Sequence, residues 1–449
     1  MALSLDQFVR AVSDMKPVID ALRLREYSDV VDAEGHQYID LVMEGGGVLG
    51  VAFLGYVHVL EQAGIRFVGL GGASAGSITA LALAAIDVPA RAKSNALIEI
   101  VSNMPMADFV DGKDDTDRDA SDFLDSVLGR RGLAAGFMKG MQVIDNFTEM
   151  QGLNRGTRFH GWIRDQVLAP RGLTTTRALL AQMATTPDGW RLRDDSPQRA
   201  EQLEGAAALK PLDPAECRLC IVAADISTET KLEFPRMAGL YWKDPGAVDP
   251  ADFVRCSMSI PFFFRPVRLP MSLRDDAHVR MWCEFAGINL RDMETGKFPP
   301  ASCVIVDGGV LSNFPIDVFH NPGKVPTRPT FGVKLQWDER AHAVDRLQEI
   351  VTQTFNSARH CLDYEFLRKN PDFNQLVTYI DTADHDWLKF SMPDKDKLDL
   401  FRRGAQAAVE FLQTFDWRGY KRIRENLAAA HRLAAPTMPR SQMRAITQA

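Results

Sequence analysis

Residues 38–86 restrict the fold of this chain more than any other segment, because they contain two short apolar strands, each followed by a glycine-rich turn and an apolar helix. This alternation of strand and helix is typical of a parallel α/β sheet. Further short apolar runs have the composition of strands. The strands are expected at 38–43, 65–70, 219–224, 304–306 and 331–335, and the helices at 51–63 and 77–86.

The rest of the chain divides into segments by composition. We expect residues 1–37 to form a short helical lead-in, and residues 38–334 to form a three-layer α/β/α domain with a variable, polar insert or lid at 105–215. Residues 335–449 are expected to form a C-terminal helical extension that ends in a basic tail. Within this extension, helical patterns cover 344–362 and 395–415.

Gly72-Ala73-Ser74-Ala75-Gly76 matches the GxSxG pattern of a nucleophile elbow. The turn from strand to helix is so tight there that only small residues fit beside the serine, which is left exposed at the apex. The hydroxyl then stands at the start of a helix, where free backbone N–H groups favour developing negative charge. We therefore predict that Ser74 is a nucleophile and that Gly72 and Gly76 are required by the turn.

The loop Gly45-Gly46-Gly47-Val48-Leu49-Gly50 has two interpretations. Its GxGxxG spacing matches the dinucleotide-binding fingerprint, which also needs an acidic residue at the end of the next strand to bind the ribose. The sequence has Gly71-Gly72 at that place, followed by Ser74. The other interpretation is an oxyanion hole, in which glycines let backbone N–H groups approach a tetrahedral intermediate. We favour the oxyanion hole and keep a dinucleotide-binding oxidoreductase as a less favoured alternative.

Asp307-Gly308-Gly309 follows the apolar strand at 304–306. The carboxyl ends of parallel strands share one edge of a sheet, so we expect Asp307 and Ser74 to meet in one crevice. Gly308 and Gly309 are expected to keep that edge open. The pattern predicts that Asp307 is a catalytic base.

The glycine loop, the GxSxG serine and the distant Asp-Gly-Gly together resemble the patatin-like phospholipase family. Two lesser features match as well, the run Ser-Met-Ser-Ile-Pro at 257–261 and the Asn-Phe-Pro at 313–315. The resemblance covers roughly residues 38–334. The sequence departs from the family pattern at Leu49, because family members often have Arg or Lys just before the last glycine of the loop. A cation is therefore absent at that position.

The resemblance implies a Ser–Asp dyad without histidine, in which Asp307 takes the proton of Ser74 directly and the Gly45–Gly47 loop binds the oxyanion. An ordinary aspartate, with a pKa of about 3.9, is a weak base unless it is desolvated and held close to the hydroxyl. The implied reaction is hydrolysis of lipid acyl esters, phospholipids first, through an acyl-enzyme. Neither a metal nor an organic cofactor is required.

Two other interpretations of the same site stay open. An ordinary α/β-hydrolase places a histidine after its aspartate, and His320, His360 and His385 all follow Asp307, although none stands in a signature context. A regulated or catalytically silent module on the same frame is the second. A small-molecule or protein activator is compatible with the resemblance, and we would expect its site in the loops of 105–215.

Two further patterns each have a functional and a structural interpretation. The acidic stretch 108–125 contains a partial calcium-loop pattern that lacks the glycine and the closing glutamate, so a solvated loop over the site is expected instead. The apolar cluster 260–264 is expected either to line an acyl pocket or to pack in the core. Cys217 and Cys220 form a CxxC without a second pair, which favours buried thiols over zinc.

Charge and hydropathy bear on the compartment. The net charge of −7 does not indicate a protein that binds nucleic acid. No apolar stretch reaches the length of a bilayer span and the N-terminus has no export signal, so a cytoplasmic protein is expected. Residues 416–449 carry seven basic and two acidic side chains, hence +5, which leaves −12 on the remainder. This basic tail is a candidate peripheral contact with anionic lipid. The sequence indicates no oligomeric state.

Overall fold

The computed structural model describes residues 3–109, 152–193, 209–216, 218–289, 298–335, 363–387 and 389–434, with residues 291 and 357. Several sequence predictions lie outside the described residues. These are the helix at 344–362, most of the acidic stretch 108–125, much of the insert 105–215, Cys217 of the CxxC, His360, and Arg440 and Arg444 of the basic tail.

Twelve strands lie within the described residues. They are β1 (Val30–Val31), β2 (Gln37–Met43), β3 (Ile65–Ala73), β4 (Gly152–Asn154), β5 (Arg191–Leu192), β6 (Leu219–Asp225), β7 (Thr230–Phe234), β8 (Phe262–Phe264), β9 (Val267–Pro270), β10 (Ser302–Asp307), β11 (Thr330–Leu335) and β12 (Val377–Ile380). Ten of them form one sheet with the main order β12-β11-β2-β3-β6-β10-β9, to which β1, β5 and β7 are added at the sides. Strands β4 and β8 form a separate pair.

The sheet is mixed. Strands β12, β11, β2, β3 and β6 run parallel to one another, as the sequence predicts. Strands β7, β9 and β10 are antiparallel to their neighbours, so the parallel direction expected for 304–306 is wrong. Three apolar residues carry no information about direction, which depends on pairing with β6 and β9.

Helices surround this sheet. They are α1 (Leu5–Ala11), α2 (Lys16–Leu22), α3 (Val51–Gln62), α4 (Ala75–Ile86), α5 (Ser94–Ser102), α6 (Thr157–Trp162), α7 (Thr176–Met183), α8 (Pro250–Ser257), α9 (Asp276–Ala286), α10 (Asp394–Thr414) and α11 (Trp417–Ala434). The predicted helices at 51–63, 77–86 and 395–415 correspond to α3, α4 and α10. The α/β fold with a helical C-terminal region is therefore confirmed, whereas α11 was not predicted.

Helices α3 and α10 pack backbone against backbone. A Cβ atom added at Gly55 would lie 1.8 Å from the carbonyl oxygen of Phe401, and one added at Gly404 would lie 1.8 Å from that of Ala52. Only glycine allows such a close crossing. The C-terminal region is therefore part of the main core rather than an appendage to it.

Three basic side chains of α11 form ion pairs with the rest of the protein. Lys421 Nζ lies 2.8 Å from Asp29 Oδ2, and Arg424 Nη1 lies 3.1 Å from Asp372 Oδ2, with all four side chains buried. Arg418 pairs with an acidic side chain at 2.8 Å on the surface. These contacts give the positive charge of α11 a role in docking the helix. Among the described helices, none combines the length and apolar character of a bilayer span.

The crossing of α3 and α10 predicts different effects for two glycine-to-alanine changes. Gly404→Ala should lower the free energy of unfolding by about 3 kcal/mol, because its Cβ overlaps a backbone carbonyl that cannot yield easily. Gly161→Ala in α6 is the control, since its Cβ would meet nothing closer than Asp165 Oδ2 at 4.0 Å. The control should gain up to about 1 kcal/mol from helix propensity. Urea unfolding measures both, and equal effects would contradict the close crossing.

Candidate active site

Ser74 occupies a strained turn between β3 and α4. Its backbone has φ 48° and ψ −121°, a conformation that is rare for a residue with a side chain. The two flanking glycines are needed for the turn. A Cβ at Gly72 would lie 2.5 Å from the carbonyl carbon of Gly76, and a Cβ at Gly76 would lie 2.2 Å from the carbonyl oxygen of Met43. The local geometry is therefore a tight, strained strand-to-helix turn, as the predicted nucleophile elbow requires.

Ser74 and Asp307 come together because β3 and β10 end on the same edge of β6. Strand β7 pairs with residues 221–225 of β6 and so occupies the other edge. Along the shared edge, the last residue of β3 lies opposite Val222, and Asp307, the last residue of β10, lies opposite Ala223. Since β10 runs antiparallel to β3, the carboxyl ends of the two strands meet head to head.

This arrangement corrects the expected route to the crevice. Parallel strands sharing a carboxyl edge do not bring Asp307 to Ser74, because β10 approaches from the opposite direction. The expected role of Gly308 also changes. A Cβ there would lie 2.1 Å from the carbonyl oxygen of Val222, so this glycine allows β10 to end close against β6 rather than keeping an edge open.

Backbone groups hold the Asp307 carboxylate and main chain in place. The Gly309 N–H donates to Asp307 Oδ1 at 2.7 Å, and the Asp307 N–H donates to the carbonyl oxygen of Ser259 at 2.9 Å. Asp307 is 5% exposed and Ser74 is 3% exposed. Both predicted catalytic side chains therefore lie almost entirely out of contact with solvent in this conformation.

The segment 257–259 bridges the two predicted catalytic residues, a role that sequence reasoning missed. The Ser74 N–H donates to Ser257 Oγ at 2.9 Å, and that hydroxyl donates to the carbonyl oxygen of Val222 at 2.6 Å. The Ser74 hydroxyl itself donates to Met258 Sδ at 3.3 Å. The only available signal was the Ser-Met-Ser-Ile-Pro match to the family, which does not identify these contacts.

The glycine loop packs directly against the elbow. A Cβ at Gly45 would lie 3.0 Å from Ser74 Cβ, and a Cβ at Gly50 would lie 3.1 Å from Ala75 Cβ. Side chains at these positions would push the loop away from Ser74. The loop and the turn at Ser74, which are separated in sequence by a helix and a strand, are thus in direct contact.

The amides of the glycine loop are not equivalent. The N–H groups of Gly45 and Val48 donate to carbonyl oxygens at 3.0 Å, that of Val48 to Trp387 in the C-terminal region. Within the described residues no acceptor is found for the N–H groups of Gly46 and Gly47. Gly47 has φ +56°, and a Cβ there would lie 2.2 Å from the Trp387 carbonyl oxygen. Among the described residues, these two glycines therefore carry amides that are not already engaged by the protein.

The other predicted groups lie as follows. Leu49 is buried. In the apolar cluster 260–264, Phe263 stacks on Phe390 with ring centroids 4.8 Å apart. This contact fits the core-packing role and leaves the acyl-pocket role open.

His320 packs against two phenylalanine rings and His385 pairs with an aspartate at 2.9 Å. Neither of these two histidines has a described contact with the predicted dyad.

A cavity of about 700 Å³ lies away from this site. Its lining includes the residues at which β6 and β11 begin, whereas Ser74 follows the end of β3. Its lining includes Arg218, Arg328 and Asp317, but neither member of the predicted dyad. In the part of the chain that the structure describes, no group of three or more His, Cys, Asp and Glu side chains is placed to hold a metal ion.

The contacts of Ser257 predict that removing its hydroxyl damages the elbow. Ser257→Ala leaves the buried Ser74 N–H without its acceptor, which should cost about 1–3 kcal/mol of folding free energy. Ser102→Ala, at another buried serine at the end of α5, is the control and should change stability little. Thermal unfolding of the two purified variants measures the difference, and equal melting temperatures would contradict the assigned contact.

Comparison with known proteins places these features in a family. The model of the patatin-like phospholipase family matches residues 41–320, more than half of the chain, including the glycine loop, Ser74 and Asp307. The uncharacterized protein YqhO of Bacillus subtilis (strain 168) is 26% identical over 383 residues, covering 85% of this chain and 100% of that protein. The crystal structure of VipD from Legionella pneumophila is similar at 16% identity and a TM-score of 0.38, covering 87% of this chain and 70% of that chain.

The likeness to VipD is too distant to support an argument, and the match to the family model carries the assignment. That match extends from the strand before the glycine loop to the turn after Asp307. The chain belongs to the patatin-like phospholipase family, whose members are typically lipid acyl hydrolases.

Proposed function

We propose that this protein hydrolyses acyl esters of membrane lipids, with phospholipids as the first substrate class, through a Ser74–Asp307 dyad. One observation carries the proposal. The strand that ends just before Ser74 and the strand that ends in Asp307 meet head to head on one edge of β6, so that a hydroxyl at a strained turn and a buried carboxylate lie at facing strand ends. Membership of the patatin-like phospholipase family supports the same substrate class.

In the proposed reaction, Ser74 Oγ attacks the ester carbonyl carbon and its proton passes to Asp307. The tetrahedral intermediate collapses as the ester C–O bond breaks, and the leaving alcohol takes the proton from Asp307. Water then hydrolyses the acyl-enzyme with the same carboxylate as base. Since the Ser74 hydroxyl donates to Met258 Sδ in this structure, the side chain must first rotate towards Asp307.

We assign the oxyanion hole to the N–H groups of Gly46 and Gly47. They lack acceptors among the described residues, whereas those of Gly45 and Val48 are already engaged. The loop that carries them packs against the nucleophile. An oxyanion donor of this kind contributes about 3–4 kcal/mol to lowering the barrier, because it is oriented before charge develops.

The same contacts bear on two other functions, dinucleotide binding and a regulated enzyme. A dinucleotide site needs an acidic side chain at the end of β3, and Ser74 stands there, with Gly45 packed against it. A regulated enzyme is compatible with the proposal, because Ser74 and Asp307 are nearly buried and a lipid surface or an activator must open the site.

We place the working enzyme in the cytoplasm, in peripheral contact with a membrane.

Lipid mass spectrometry of membrane extracts tests the proposal. The parent protein should release fatty acids, and Ser74→Ala and Asp307→Asn should each lower the rate by at least about a thousandfold, because each removes one member of a group that acts as a unit. Ser102→Ala and Asp165→Asn are the matched controls and should keep parental activity, because no described contact joins either residue to Ser74 or Asp307. EDTA should have no effect. A Ser74→Ala protein as active as the parent would refute the dyad.

A fluorophosphonate probe separates the enzyme from a catalytically silent module. Its phosphorus is attacked by an activated serine, so that an Oγ–P bond forms and fluoride leaves. Ser74 should be labelled in the parent and not in Asp307→Asn, because the base is missing. Absence of labelling at Ser74, with and without lipid vesicles, would favour the silent module.

A further inference from the structure

We propose that Asp363, which lies beyond the segment that matches the family model, is a positioning residue for the oxyanion loop and acts through Asn313. The inference rests on the proposed function and adds to it a residue from the C-terminal region. Asp363 contacts neither the dyad nor the loop in the hydrogen bonds described. Its effect passes through a connected series of short contacts that ends at Ser74.

The Asp363 carboxylate binds the turn that follows the Asp-Gly-Gly motif. It accepts hydrogen bonds from the Ser312 hydroxyl at 2.9 Å, from the Asn313 N–H at 2.9 Å and from the Phe314 N–H at 2.8 Å. Both backbone donors share Oδ2, and the hydroxyl donates to Oδ1. Three donors on one buried carboxylate fix the position of this turn.

Asn313 in turn clamps the first glycine of the oxyanion loop. The Gly45 N–H donates to the Asn313 carbonyl oxygen at 3.0 Å, and Asn313 Nδ2 donates back to the Gly45 carbonyl oxygen at 3.0 Å. A Cβ at Gly45 would lie 2.4 Å from Asn313 Oδ1 and 3.0 Å from Ser74 Cβ. The contacts therefore run from Asp363 to Asn313, then to Gly45, and then to the nucleophile.

The charged groups around Asp363 favour opposite ionisation states. Burial raises the pKa of Asp363 to about 6, and the nearby negative charge of Glu44 also raises it. The positive charge of Lys334 on β11 and the hydrogen bonds from Phe314 and Ser312 lower the pKa, but less than burial raises it. Lys334 Nζ lies 2.5 Å from Glu44 Oε1, and of this ion pair the positive charge of Lys334 has the larger effect on Asp363.

Activity and stability should respond to this ionisation with opposite signs. The ionised carboxylate makes hydrogen bonds roughly twice as strong as the neutral acid does, so the clamp weakens as the pH falls through about 6. The folded-state pKa is raised, so folding favours the protonated form. The contribution of Asp363 to stability is therefore present at low pH and is lost as the pH rises through about 6.

The rate of fluorophosphonate labelling at Ser74 between pH 5 and 8.5, measured on the full chain, tests the proposal. The parent should show an acid limb with a midpoint near the Asp363 pKa of about 6. Asp363→Asn should label about tenfold more slowly at pH 7.5, because small displacements of a positioned group are costly, and should lose that midpoint. Its melting temperature at pH 7.5 should equal or exceed that of the parent.

Glu61→Gln is the matched control. Glu61 is also a buried carboxylate that accepts backbone hydrogen bonds, from the N–H groups of Lys93 and Ser94, but it caps helix α5 away from the site. This variant should keep the parental labelling rate and midpoint. A loss of the midpoint in Glu61→Gln as well would overturn the assignment of the acid limb to Asp363.

A double-mutant cycle tests whether Asp363 acts through Asn313. Asn313→Ala removes the Nδ2 hydrogen bond to Gly45 and should slow labelling, but it keeps the backbone hydrogen bonds of residue 313 to Asp363 and to Gly45. Adding Asp363→Asn should therefore slow labelling by less than the product of the two single effects, whereas fully multiplicative losses would overturn the series of contacts. If Asp363→Asn does not fold, Ser312→Ala replaces it. That variant removes a hydrogen bond that lowers the Asp363 pKa, so the midpoint should move to higher pH, and an unchanged midpoint would overturn the proposal.

The same measurements keep this inference distinct from the proposed function. Labelling of the parent at Ser74, with Asp363→Asn identical in rate and midpoint, would refute the positioning role and leave the hydrolase standing. A parent protein that is never labelled at Ser74 would refute the proposed function, and this inference with it.

Discussion

The site depends on the sharing of one edge of β6 by two strands that run in opposite directions. Strand β3 ends opposite Val222 and β10 ends opposite Ala223, so the residues at their ends face each other with no strand between them. Gly308 permits the approach because no side chain fits against the Val222 carbonyl oxygen. The same carbonyl oxygen accepts the Ser257 hydroxyl that binds the backbone of Ser74. The carbonyl group of Val222 therefore contacts both sides of the site. It binds Ser257, which holds the Ser74 backbone, and it packs against Gly308, which follows Asp307.

The glycine loop depends on a different part of the chain. Its Val48 N–H is held by the Trp387 carbonyl oxygen, and a Cβ at Gly46 would lie 2.4 Å from Leu335 Cδ1. Helix α10, which follows Trp387, crosses α3 at Gly404 without intervening side chains. A loop of glycines has high conformational entropy and does not hold one shape by itself. The C-terminal region therefore restricts the conformation of the glycine loop, as its proposed role as an oxyanion hole requires.

Sequence reasoning recovered what depends on near neighbours and missed what depends on distant ones. The strand, elbow and helix around Ser74 follow from small residues and apolar periodicity within a few positions. The direction of β10 does not, because three apolar residues at 304–306 read alike in both directions. The tail illustrates the same limit. Lys421 counts as a surface charge in the sequence, yet it forms a buried ion pair with Asp29, 392 residues away.

The small residues that build the elbow leave little at its centre that could distinguish one substrate from another. Glycine at 72 and 76 is imposed by contacts with backbone, and glycine at 45 by contacts with Asn313 Oδ1 and Ser74 Cβ, so these three positions carry no side chain that a ligand could contact. Selectivity must come from side chains brought in by other elements. Met258, whose Sδ accepts the Ser74 hydroxyl, and Trp387, whose ring lies against Gly47, are such side chains, and Trp387 belongs to the C-terminal region. On the proposed function, we expect that relatives sharing the elbow but differing after β11 catalyse the same chemistry on different lipids.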